Sequence, residues 1–89
     1  MPTVTFPPNL RRHLDAAGAR VEGESVRAVL EAVFSGRPEL RGYLLDDQGG
    51  LRRHVAVFVD GRRVHDTRGL SDPVGPASEV CVVQALSGG

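Results

Sequence analysis

Apolar residues recur at Val26, Val29, Leu30, Val33 and Phe34, the i, i+3, i+4, i+7, i+8 spacing that lines one stripe of an α-helix. The pattern predicts a helix over Val26 to Ser35. Ser25 stands where an N-cap hydroxyl is wanted, Gly36 where a left-handed C-cap would close the helix, and Pro38 where it cannot continue. On either side the period shortens to two. "TVTF" (Thr3 to Phe6) alternates and is stopped by Pro7-Pro8, because proline has no N–H for a sheet ladder. "ARVEG" (Ala19 to Gly23) reads as a short return strand with Val21 facing inward.

Beyond the helix, "YLLDDQGGLRRHVAVFVDGRRVHD" reads as strand material broken by turns. Asp47-Gln48-Gly49-Gly50 is a loop. His54 to Val59 is a strand with Val55, Val57 and Val59 on one face. Asp60-Gly61 is a hairpin turn, and Arg62-Arg63-Val64 is the returning arm. A turn-rich connection, Ser71 to Glu79, leads into a last strand over Val80 to Leu86. One helix among strands satisfies the two-layer rule for an α+β domain with a mixed sheet. The expected core sets the helical stripe against Val4, Phe6, Val57, Val80 and Val82. In this arrangement the first and last strands lie side by side at the sheet centre. No repeat or linker divides the chain, so residues 1–86 form one domain and 87–89 a separable tail.

Length and composition narrow this further. At 89 residues there is room for one domain and one modest core. Trp is absent and aromatics make up 4%, so Val and Leu must fill the interior. Eleven basic residues balance eleven acidic ones, which removes the general electrostatic pull toward nucleic acid or anionic lipid. There is no apolar run long enough to span a membrane and no signal-peptide pattern, and a cytoplasmic location is expected. Every basic residue other than histidine is Arg, so the chain has no side-chain amine to receive an isopeptide bond.

Candidate chemistry is sparse. Cys81, the single cysteine, sits in "VCVV" as a small apolar strand residue, although a thiol near the tail could in principle take part in sulfur transfer. His13, His54 and His65 are scattered with no cysteine partners at zinc spacing, so no metal site is expected. The pairs Arg11-Arg12, Arg52-Arg53 and Arg62-Arg63 are interleaved with acids and have few aromatics to stack bases. Some of them fit steering toward an acidic protein surface better than nucleic-acid contact. Gly49-Gly50 is a turn, not a phosphate loop. The remaining feature is the end, Ser87-Gly88-Gly89. Taken alone it reads as an ordinary chain end.

Taken with the order of elements it reads differently. "TVTFPPNLRRHL", "SVRAVLEAVF", "LRRHVAVFVDGRRV", "SDPVGPASEV" and the terminal "VQALSGG" together resemble the β-grasp, ubiquitin-like sulfur carriers. These are the MoaD, ThiS and CysO types, and the long middle segment resembles the longer MoaD and CysO-like carriers. The resemblance covers the whole chain. It departs just before the tail, where Val83-Gln84-Ala85-Leu86 replaces the Pro or Phe pair of many MoaD-like chains. It implies a β-grasp fold with one main helix on one face of the sheet.

The resemblance also implies a function. The chain would not be an enzyme. Gly89 would be adenylated by an E1-like adenylating enzyme of MoeB or ThiF type, which uses ATP, and no cofactor would be bound by the chain itself. A sulfur donor would convert the adenylate to a thiocarboxylate, and a sulfur-accepting synthase would consume it in making molybdopterin, cysteine, thiamin or a specialised metabolite. Ser87 and Gly88 would supply the side-chain-poor arm. Val83, Ala85 and Leu86, facing out beside it, would meet the partners. Two other readings stay open: a ubiquitin-like modifier joined through Gly89 to target lysines, and an interaction domain with an inert tail.

Overall fold

The computed structural model describes residues 1–7 and 18–84. In chain order these form β1 (Thr3–Thr5), β2 (Ala19–Arg20), α1 (Val26–Gly36), α2 (Glu39–Leu44), β3 (Val55–Val59), β4 (Arg62–Arg63) and β5 (Glu79–Gln84). The strands make one mixed sheet in the order β2-β1-β5-β3-β4. β5 lies at its centre, parallel to β1 and antiparallel to β3, the adjacency expected for first and last strands.

Helix α1 forms where the periodicity places it. Ser25 is extended, and its hydroxyl accepts the Ala28 N–H at 3.1 Å, satisfying one of the first-turn donors that lack an intrahelical partner. Val26, Val29, Leu30, Val33 and Phe34 are all buried, in one core with Val4, Phe6, Val57, Val80 and Val82. The helix ends differently from expectation. Gly36 lies within it and the C-cap is Arg37, at φ −141 and so not left-handed, with its N–H donating to the Val33 carbonyl. Pro38 does stop α1, but it also opens α2 as its N-cap residue.

Helix α2 corrects the reading of Tyr43 and Leu44 as strand material. The segment is six residues long, and only Leu40 and Leu44, four apart, are buried. That is one turn of repeat, too little to stand out beside the continuous "YLL". Its packing against α1 fixes its conformation. The Arg41 guanidinium pairs with Glu31 of α1 and lies 5.0 Å from the Phe34 ring centroid, a cation–π contact. Among the described residues there are therefore two helices, the longer α1 being the main helix expected on the sheet.

The hairpin between β3 and β4 turns at Asp60 (φ 50) and Gly61 (φ 83). Positive φ at both central residues is the turn whose twist matches its strands, and Asp-Gly is its favoured sequence. β3 begins at Val55, so His54 precedes it. The returning arm holds through Val64, buried, with its N–H on the Val57 carbonyl at 3.0 Å. The second strand is shorter than expected, ending at Arg20. Val21 is only partly buried against the core, though its N–H still donates to the Pro2 carbonyl at 3.1 Å.

Candidate functional site

The central strand decides where the chain's end emerges. β5 is bonded on both sides, pairing Val80 with Val4 and Val59, and Val82 with Val57. It delivers Gln84 to the pole of the molecule where β3 begins, opposite Val55. A strand held by two neighbours is an anchored base for whatever follows it. Ala85, Leu86, Ser87, Gly88 and Gly89 lie outside the described residues, as do His13 and the Arg11-Arg12 pair.

Alternation along β5 places Val80 and Val82 in the core beneath α1 and Cys81 and Val83 on the opposite face of the sheet, both half-buried. The cross-strand register then assembles a surface. Cys81 stands between Thr5 of β1 and Phe58 of β3, and Phe58 stands beside Arg63 of β4. Val83 faces Ala56, which is buried. The result is an apolar strip of Val83, Cys81 and Phe58, flanked by threonine on one side and by the exposed Arg63 on the other. Phe58 was missed as a candidate, though the signal was there: placing Val55, Val57 and Val59 inward leaves Phe58 outward, beside an arginine of the Arg62-Arg63 pair.

Cys81 thus occupies the small, half-buried strand position expected of it. His54 and His65 are both exposed and on different segments. Among the described residues, no three His, Cys, Asp or Glu side chains come together as metal ligands, and no helix is long and apolar enough to cross a membrane.

Carboxylates hold the loops elsewhere in the molecule. Asp60 accepts the Glu79 N–H at 2.9 Å and the Ser78 hydroxyl at 2.8 Å, and these bonds lower its pKa. They tie the hairpin turn to the start of β5. Asp66 accepts the Ser71 hydroxyl and the N–H groups of Gly69, Ser71 and Arg68. Its pKa falls to about 2, with the Ser71 hydroxyl the largest cause. Asp72, bonded to the N–H groups of His65 and Asp66, is lowered as well. Each carboxylate is occupied in bonds that hold a turn or loop, and their role is structural.

Comparison with known proteins agrees with this geometry. The chain of CysO type in the Amycolatopsis orientalis BexX/CysO complex superposes with a TM-score of 0.86 at 24% identity, covering 100% of both chains. Mycobacterium tuberculosis CysO gives 0.85 at 24% identity over 97% of this chain and 100% of its own. SAMP1 from Haloferax volcanii gives 0.82 at 21% identity over 99% and 98%. At these identities the likeness establishes the fold, the ubiquitin-like β-grasp. No curated protein matches the chain in sequence. The ThiS family model matches residues 9–89, a span from before β2 through the final Gly-Gly, and the chain therefore belongs to the ThiS family of ubiquitin-like proteins.

Proposed function

We propose that the chain is a sulfur carrier whose working group is the carboxylate of Gly89. A carboxylate is a poor acyl donor, so an E1-like enzyme first converts it to an acyl-adenylate with ATP. Attack by a donor's persulfide expels AMP and forms an acyl disulfide, which a thiol reduces to the thiocarboxylate. A sulfur-accepting synthase then takes the sulfur. The chain supplies the arm and the docking surface, and its partners supply the catalysis. Such a cycle belongs in the cytoplasm, where ATP is available.

The observation that carries this reading is the placement of "ALSGG" directly after the doubly paired central strand of a ThiS-family domain. The body is held while two residues without Cβ atoms offer little steric resistance to a narrow channel. The apolar strip of Val83, Cys81 and Phe58 beside that exit suits an enzyme that must grip the body to aim the arm.

A second reading is favoured by the likeness to SAMP1, a small archaeal modifier protein: conjugation of Gly89 to lysines of other proteins. Both readings share activation and part at the acceptor. The lysine-free sequence forbids side-chain-linked chains of this protein on itself. Intact-mass and peptide analysis of the protein taken from its own host separates the two. A carrier shows a free chain with one oxygen replaced by sulfur. A modifier shows Gly89 on lysine side chains of other proteins, and this result would overturn the carrier reading.

A further inference from the structure

Two hollows on the described surface lie at its two poles. The larger, about 690 Å³, is open and lies against Met1, Glu22 and Glu24, a β5 length (about 20 Å for six residues) from the exit of the tail. The smaller, about 250 Å³, lies at the exit itself. Its walls include Tyr43 and Leu44 of α2, His54 and Val55 at the start of β3, and Val83 and Gln84 at the end of β5, with Pro7 beyond β1. The walls are fixed: Arg52 donates its N–H to the Leu44 carbonyl at 3.0 Å and its Nε–H to the Gly42 carbonyl at 2.8 Å, stapling the approach to β3 onto α2. Tyr43 is nevertheless 46% exposed, one of two large hydrophobic residues left so open among the described residues.

The size is informative. Cofactor and small-molecule pockets run from about 300 to 1,000 Å³; this groove holds about eight waters at roughly 30 Å³ each. That suits one large side chain. Charge selects the surface that side chain stands on. Arg52 and Arg53 precede His54 at the rim, and neither Arg53 nor His54 has an ion-pair partner among the described residues. Arg52 is answered in part by Asp46. The opposite pole carries Glu22, Glu24, Asp60 and Glu79 against Arg20 and Arg62. Of the two poles, the one where β5 ends thus carries Arg53 and His54 without ion pairs among the described residues, and the other carries four acids to two arginines.

Resting on the carrier reading, we propose that the groove between α2 and the β3 and β5 ends receives one aromatic side chain from an acidic surface of the adenylating enzyme. Aromatic anchors in pockets dominate interface energetics, and complementary charge accelerates encounter.

The test titrates the full chain against its adenylating enzyme. Filling the groove with His54→Trp and reversing the rim with Arg53→Glu should each weaken binding by about tenfold or more. Arg62→Glu, the same charge change at the far pole, should leave it within about twofold. On binding, an aromatic ring in the groove should move the Leu44 and Val83 methyl NMR resonances upfield. Groove variants that bind as the native chain does, Arg62→Glu weakening binding as much as Arg53→Glu, or no upfield movement in a formed complex would overturn the proposal. So would the same methyl shifts on self-association without the enzyme, which would make the occupant a second copy. If these results come from a chain that is still activated at Gly89, the groove assignment alone fails. If the native chain neither binds nor is activated, the carrier reading falls too.

Discussion

Asp66 illustrates how much one half-buried carboxylate can organise. Its four side-chain hydrogen bonds close the loop from Asp66 to Ser71, and its carbonyl accepts the Leu70 N–H at 3.0 Å. Within that loop Leu70 takes φ 57, a conformation that costs a residue with a side chain, yet it is fully buried. Arg27 seals the arrangement, donating to the carbonyls of Gly49, Arg68 and Gly69. The sign of the pH dependence follows. The folded pKa of Asp66 is depressed to about 2 from 3.8, so its contribution is present above pH 3.8 and is lost as pH falls through about 2. Asp66→Asn should be less stable than the native chain at pH 7 in urea unfolding, and the gap should narrow at pH 2. An unchanged gap would mean that the charge contributes nothing. This loop was not legible in the sequence beforehand, because Asp and Ser side chains bonded to nearby N–H groups leave no periodic trace.

At the scale of elements, α1 is the keystone, since its stripe meets β1, β3 and β5 at once. Leu30, 1% exposed, is at its middle. Leu30→Ala should cost about 2–5 kcal/mol, the transfer loss plus the cavity left behind. Equilibrium unfolding measures it, and a loss well under 1 kcal/mol would contradict the packing. α1 was legible because five apolar residues repeat over three turns beneath a capping serine. The pairing of β1 with β5 and the Asp60-Gly61 turn were legible for similar reasons: strict alternation and a dipeptide that accepts positive φ. α2 was not, because one turn of Leu40 and Leu44 is decided by Arg41, Glu31 and Phe34, contacts that exist only after folding. The cap at Gly36 failed for the same reason: with Pro38 recruited into a second helix, the chain has no need of a left-handed exit.

At the scale of the whole molecule, the sheet has two faces with different duties. One carries the helices. The other carries Val83, Cys81 and Phe58 beside the emerging tail, with Arg63 at its margin. Val83→Asp places a charge on that strip without entering the core. It should weaken binding to the adenylating enzyme by about tenfold or more while leaving the unfolding midpoint little changed; unchanged affinity would remove this face as the docking surface. Val83 was legible from alternation alone. The groove beside α2 was not, since it depends on a helix the sequence concealed. The role of Gly89 came from the resemblance of the whole chain rather than from its last residues, since glycine is common at chain ends.

The central claim is that sulfur is carried on the Gly89 carboxylate. The most direct measurement is intact-mass analysis after incubation with the cognate adenylating enzyme, ATP and a sulfur donor, on three chains: native, lacking Gly89, and extended by one residue beyond Gly89. All three should fold alike. The native chain should gain the mass of one oxygen-to-sulfur exchange, mapped by fragmentation to Gly89, and the other two should gain nothing. Equal loading of the extended chain without trimming, or sulfur that maps to Cys81, would contradict the account.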